Sequence, residues 1–179
     1  TIEDVLDLIE PYPWDFLIGS VHWIGEWSFD HEASIHEFDR RSVEKAYAEY
    51  FELEAELAAS GAVDILAHVD VIKKLGHRLA SPPHELYHRV VRAAERSGVA
   101  VEVSSAGLHQ KAAEIYPAPE FLEMFARAEV PITLASDAHY ATDAARDHGI
   151  LVAAARAAGY KERLRFRKRA AWAVPLEAG

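Results

Sequence analysis

The sequence predicts an α/β fold. Three observations carry that reading. Short runs rich in Val, Ile and Leu alternate with longer helical segments along the whole of the 179 residues. Proline opens and glycine closes several of the helical segments, the expected asymmetry of helix termini. Histidine or aspartate ends three of the apolar runs, where sheets of parallel strands gather their functional residues. Repeated strand–helix units suit either a barrel or a doubly wound sheet.

The candidate strands are residues 16–23 (FLIGSVHW), 63–70 (VDILAHVD), 99–105 (VAVEVSS) and 131–139 (PITLASDAH). Such continuous apolar runs fit parallel strands buried on both faces. The first candidate helix, 41–59, has Val43, Ala46, Tyr47, Tyr50 and Leu57 at helical spacing, and Gly61 follows its end. The second, 83–97, starts with prolines and stops before Gly98. Helices over 119–128 and 144–158, the latter closed by Gly159, complete the alternation, and 171–175 is a short final strand. No linker, repeat or low-complexity stretch divides the chain, so one domain is expected.

Half of the residues are apolar, 27% are charged and the net charge is -10, the balance of a globular protein. The negative charge argues against nucleic acid as a partner, which requires clustered Lys and Arg. It does not exclude a small phosphorylated substrate, because a local cationic pocket or metal cluster outweighs a distant field. The chain has no cysteine, which excludes disulfides and thiolate zinc sites and fits a cytoplasmic enzyme. No apolar run approaches the roughly 20 residues of a membrane span. The sequence starts at Thr1 rather than Met, and it contains ten histidines.

The strand ends read His22, His68 with Asp70, Ser104 with Ser105, and Asp137 with His139. Residues two apart on a strand share a face, so Asp137 and His139 point the same way. Carboxylate oxygen and imidazole nitrogen are ligands for zinc, manganese or iron. Two or more such ions generate hydroxide near neutral pH and clamp the oxygens of an in-line displacement. A competing motif is His84-Glu85-Leu86-Tyr87-His88, which matches the H-E-x-x-H signature of zinc proteases. Leu86, Val90, Ala93, Ala94 and Ser97 form the small or apolar stripe of that helix, which puts His84 and His88 on the opposite face with Arg92 and Glu95. A solvated helix start is the better reading, since a catalytic zinc needs a shielded cleft.

Four segments together resemble the histidinol-phosphatase branch of the polymerase-and-histidinol-phosphatase (PHP) family. They are 16–30 (FLIGSVHWIGEWSFD), 64–71 (DILAHVDV), 101–117 (VEVSSAGLHQKAAEIYP) and 132–139 (ITLASDAH), and the closing 168–177 (KRAAWAVPLE) resembles that branch's terminal strand. The resemblance implies a distorted (β/α)7 barrel, with residues 1–179 as the C-terminal two-thirds of a single catalytic domain. It implies two to three divalent metal ions (zinc, manganese or iron) and hydrolysis of L-histidinol phosphate to L-histidinol and phosphate, a step of histidine biosynthesis. Asp137 resembles the ligand of a first metal, His22 and His68 ligands of a second, and His139 a ligand of a third. The family's amino-terminal His-x-His motif, a further His and a metal-bridging Glu have no counterpart in this sequence. The first barrel strands are therefore expected to precede residue 1, and this chain alone to be impaired.

His109 stands where relatives often carry Arg; as a phosphate contact it would be weaker and pH-dependent, with Lys111 adding a permanent charge. Trp23 and Trp27, with Phe29, are candidates to wall the imidazolyl end of a substrate or else ordinary packing. Glu102, Ser104 and Asp70 are candidates for supporting roles. His31, His36, His77 and His148 read as surface residues. Two alternatives stand beside the phosphatase: another phosphoester hydrolase of a PHP or amidohydrolase-like barrel, and a non-catalytic remnant that binds a partner.

Overall fold

The computed structural model describes residues 2–176. Thr1 and Glu177, the last residue of the closing segment quoted above, lie outside the described residues. Helix α1 (Ile2–Ile9) precedes strand β1 (Ile18–Gly19), the hairpin of β2 (Trp23–Ile24) and β3 (Trp27–Ser28), and helix α2 (Val43–Ala59). There follow β4 (Ile65–Leu66), α3 (His84–Ser97), β5 (Ala100–Ser104), α4 (Pro119–Arg127), β6 (Ile132–Ala135), α5 (His148–Ala158) and a closing hairpin of β7 (Glu162–Arg167) and β8 (Ala170–Pro175).

Strands β1, β4, β5 and β6 form a wholly parallel sheet in that order, with Ile18 opposite Ile65, Leu66 opposite Val101 and Val103 opposite Leu134. The parallel α/β architecture read from the sequence is therefore present. Each crossover carries a helix, as parallel neighbours require. The Ser42 hydroxyl accepts the Lys45 amide and starts α2. Gly98 ends α3 at φ 75°, a left-handed position that a Cβ disfavours. Helices α2, α3 and α4 meet through aromatic rings: Phe51 lies edge-on to Tyr87, and Tyr87 stacks on Phe121 at 4.0 Å. These rings are buried, and together with Tyr50 and Phe125 they make the main apolar core. A second core of Val103, Leu122, Ile132 and Leu151 lies between β5, β6, α4 and α5.

Several elements differ from expectation. The strand expected over 63–70 is only Ile65–Leu66, and α5 starts at His148 rather than at residue 144. The strand expected over 131–139 stops at Ala135, so Asp137 (φ 49°) and His139 lie in the loop beyond it and do not share a strand face. The strand expected over 16–23 is only two residues long as β1, because the chain leaves the sheet and turns at Gly25 (φ 61°) to make the β2–β3 hairpin. Trp23 therefore belongs to a ribbon rather than to the sheet. The closing strand is one arm of a hairpin, with Leu164 opposite Ala173. Its turn places Lys168 and Arg169 at φ 50° and 61°. Primed turns of this kind usually take Asn-Gly, so Lys-Arg hid the hairpin from a sequence reading. The hairpin sits at the end of the sheet where the strands start. The Arg169 guanidinium clamps both oxygens of Asp64 at 2.9 and 3.0 Å, and the same Asp64 accepts the Leu17 amide. This staple pins one end of the sheet and leaves the opposite end to the loops.

Candidate active site

The chain leaves β1, β4, β5 and β6 into loops that border one cleft of about 410 Å³. That volume is in the range of small-molecule sites. His22, His68, Asp137 and His139 all line it, carried by the loops that follow β1, β4 and β6. The sheet supplies the reason: parallel strands end together, so residues far apart in sequence come to one edge. His68 and Asp137 sit at φ 28° and 49°, conformations uncommon for residues with a Cβ and enriched at functional sites.

Hydrogen bonds select the ring nitrogens. His139 Nδ1 lies 2.9 Å from the Asp137 carbonyl oxygen, which only accepts, so Nδ1 carries a proton and Nε2 is the ring nitrogen left for another partner. His22 Nδ1 lies 3.1 Å from Asp30 Oδ2. Burial pushes the Asp30 carboxyl up, but hydrogen bonds from His22 and Lys74 outweigh it and hold the group at about 2. Asp30 is then an acceptor for His22 Nδ1, and Nε2 is again the ring nitrogen left for another partner. Buried metal-ligating histidines are typically oriented by carboxylates or carbonyls in this way. His68 is 5% exposed, and its ring lies 5.0 Å from that of His22. Burial, and then the neighbouring His22, push its pKa down to about 4, so the imidazole is neutral at physiological pH.

Two buried polar atoms here lack partners among the described residues: His68 Nδ1 and the hydroxyl of Tyr116, a residue that also lines the cleft. Groups left unpaired in this way are ordinarily satisfied by a ligand, an ion or water. The donor set of imidazoles and a carboxylate fits a divalent cation such as zinc, manganese or iron. The set is incomplete, since among the described residues no three His, Asp or Glu side chains close around one point. Beneath the cleft, burial and the charge of Asp137 push the Glu102 carboxyl up to about 7.

The other sequence candidates divide. His109 lines the cleft, with Nε2 2.6 Å from Asp147 Oδ2. Lys111 is exposed and is not among the residues bordering the cleft. Trp27 is 5% exposed and packs edge-on against Phe29 and Phe38, so it builds the core instead of walling a pocket. Trp23 is exposed on the β2–β3 ribbon, likewise away from the cleft lining. Asp70 is buried and ties Lys73 Nζ at 2.7 Å to the Ala118 amide at 2.8 Å. Ser104 is buried, and its backbone pairs with Tyr116. His77 is half-buried rather than exposed, stacked on Phe38 at 4.0 Å. His84 and His88 lie exposed on α3, outside the cleft, which removes the protease arrangement. Sequence reasoning missed Asp30, Lys74, Tyr116 and Arg146, all of which line the cleft. Asp30 and Tyr116 fall inside the quoted segments 16–30 and 101–117 but gave no sign of their own roles there, and Lys74 and Arg146 lie in turns outside any quoted segment.

No family model matches the chain. A Deinococcus radiodurans protein named as a probable histidinol-phosphatase is 36% identical over 138 residues, which are 77% of this chain and 51% of the relative. The chain thus spans about half the length of the curated relative it matches. The fold superposes on the histidinol phosphate phosphatase of Lactococcus lactis, crystallised with zinc, L-histidinol and phosphate, with a TM-score of 0.80 at 21% identity. That match covers 95% of this chain and 66% of the other. A candidate histidinol phosphatase of Listeria monocytogenes superposes with a TM-score of 0.73 at 17% identity, over 83% and 62% of the two chains.

Proposed function

We propose that this chain, 36% identical over 138 residues to a probable histidinol-phosphatase, acts as part of a metal-dependent phosphomonoesterase that hydrolyses L-histidinol phosphate to L-histidinol and phosphate. The observation that carries the reading is the meeting of His22, His68, Asp137 and His139 in one cleft, with Nδ1 of both His22 and His139 engaged by oxygen so that Nε2 is the nitrogen open to an ion. The proposed architecture is the (β/α)7 barrel of the PHP family, with residues 1–179 as its C-terminal two-thirds.

His22, His68, Asp137 and His139 would hold the ions, two to three in number. When bound, divalent ions supply Lewis acidity, lowering the pKa of water and offsetting charge on phosphoryl oxygens. The chain's own residues do the rest. Asp30 orients His22, and Lys74 keeps Asp30 ionised through a 3.1 Å contact. Burial keeps the Tyr116 hydroxyl protonated, so it is a hydrogen-bond donor at the cleft wall. Hydrolysis joins the oxygen of water to phosphorus and releases the substrate's oxygen, with a proton, as the alcohol of histidinol.

Asp137 is the group whose loss should cost most. It is the carboxylate among the four proposed ligands, and its negative charge opposes the repulsion between cations. Asp137→Asn, in the protein expressed from its complete reading frame, is expected to lower kcat on histidinol phosphate by about two to three orders of magnitude. KM should move less. Steady-state kinetics with metal content measured in parallel is the check. Near-normal kcat at full metal occupancy would remove Asp137 from the site and the proposed reaction with it.

A further inference from the structure

We propose that Arg146 is the phosphate-recognising cation of the cleft, taking the role that the position of His109 would otherwise fill; the inference rests on the phosphomonoesterase reading above. The cleft is acidic for a site that admits a phosphate monoester. Asp30, Asp137 and Asp143 line it, against two permanent cations, Lys74 and Arg146. A dianion entering such a site needs a positive partner that is not already committed.

Three cationic side chains are candidates, and the geometry separates them. His109 is held by Asp147 at 2.6 Å, and its charge depends on pH. Lys74 is held by Asp30 at 3.1 Å, an acceptor with a strongly depressed pKa that also orients His22. Pulling Lys74 towards a substrate would disturb that arrangement. Arg146 is different. Its guanidinium meets Asp143 and Asp147 only at 3.6 and 3.8 Å, beyond hydrogen-bond distance, and about half of its side chain is exposed. Loose, exposed ion pairs contribute little, so turning the guanidinium towards an anion sacrifices little.

The backbone under Arg146 is fixed nonetheless. The Ser105 hydroxyl, buried at the end of β5, donates to the Arg146 carbonyl oxygen at 2.7 Å. The side chain therefore has a defined origin beside the cleft and a planar head whose ion pairs to Asp143 and Asp147 are loose. A guanidinium binds phosphate oxygens through two parallel N–H groups and keeps its charge at every physiological pH. The placement explains how a chain with His109 at the expected arginine position, and with Lys111 pointing elsewhere, still offers a permanent cation to the phosphoryl group.

The test uses the protein from its complete reading frame, with inorganic phosphate as probe, titrated at pH 6 and pH 8. Arg146→Ala is expected to weaken phosphate binding by ten- to a hundredfold, on the order of one charged hydrogen-bonding contact, at both pH values. Arg146→Lys should restore part of it. KM for histidinol phosphate should rise in Arg146→Ala while the dissociation constant of L-histidinol, which lacks the phosphoryl group, stays put. Arg146→Gln carries the same test if the alanine variant does not fold. Wild-type phosphate affinity in Arg146→Ala or Arg146→Gln overturns the proposal, as does a parallel loss of L-histidinol binding. A large loss in His109→Gln with none in Arg146→Ala overturns it in favour of His109. Failure of the phosphatase reading shows separately, as absence of histidinol phosphate hydrolysis by the wild type, and the phosphate titration still judges Arg146.

Discussion

Asp30 decides which nitrogen of His22 faces the cleft. Its carboxylate receives His22 Nδ1 and Lys74 Nζ, each at 3.1 Å, on the same oxygen. With Asp30 gone, the imidazole of His22 is free to rotate and to exchange tautomers, and the Lys74 ammonium loses its partner and becomes a competing charge beside the proposed metal ligands. Asp30→Ala is therefore expected to lower metal affinity by about 10–100-fold, the usual cost of removing a group that orients a ligand. Asp30→Asn should lose less, because an amide oxygen still accepts from Nδ1. Titration with zinc against a competing chelator reads both. Equal affinity in the wild type and the alanine variant would show that His22 needs no such support. Asp30 follows His22 by eight residues and carries no motif, so the tertiary contact is its main signal.

Helix α2 holds a buried acid whose cost depends on pH. Glu54 is fully buried, accepts the Tyr50 hydroxyl at 2.7 Å through Oε1, and leaves Oε2 without a partner. Burial pushes its carboxyl from 4.5 up to about 8, against smaller lowering effects of hydrogen bonds from Tyr50 and Val21. A carboxyl raised in the folded state binds its proton more tightly there than in the unfolded chain. Its stabilising contribution is whole below pH 4.5 and is lost as pH rises to about 8. Glu54→Gln, which is neutral throughout, should flatten that fall. Thermal unfolding at pH 5 and pH 8.5 is the measurement: wild type should lose more Tm across the interval than the variant, whatever their absolute values. Equal slopes would mean that Glu54 is not the group responsible. At the same scale, Lys73 ties Asp70, Glu114 and the Ile115 carbonyl together at 2.7, 2.6 and 3.0 Å, and Arg78 ties Glu114 and the Ala112 carbonyl. This cluster fastens the loop after β5, which carries His109, to the segment that follows His68.

For the molecule as a whole, the telling feature is the edge at β1. Among the described residues β1 pairs with β4 alone, and Trp14, Phe16 and Ile18 beside it are between 44% and 47% exposed. An apolar edge strand with unpaired backbone groups invites pairing with another chain. Residues 1–179 expressed alone are expected to self-associate at micromolar concentration, and Ile18→Lys to reduce that association. Sedimentation velocity decides, and a wild-type 179-residue chain that stays monomeric would dismiss the edge as a liability.

The sequence by itself determined the alternation of strand and helix and three of the helix starts to within two residues. It also pointed to the segments that carry His22, His68, Asp137 and His139, although the strands stop at Gly19, Leu66 and Ala135 and leave all four in the loops that follow. These are local matters of side-chain period, proline and glycine, which need no distant partner to be read. Tertiary structure decided what no local pattern encodes. It placed Trp27 in the core, because Phe29 and Phe38 surround it, and it drew α5 in to begin at His148 instead of residue 144. It brought Asp30 to His22 and Arg146 to the cleft, through a lysine 44 residues from Asp30 and a serine 41 residues from Arg146. Charges and hydroxyls in loops take their partners from whatever the packed sheet sets beside them, so their roles became legible only once the strands had come together at one edge.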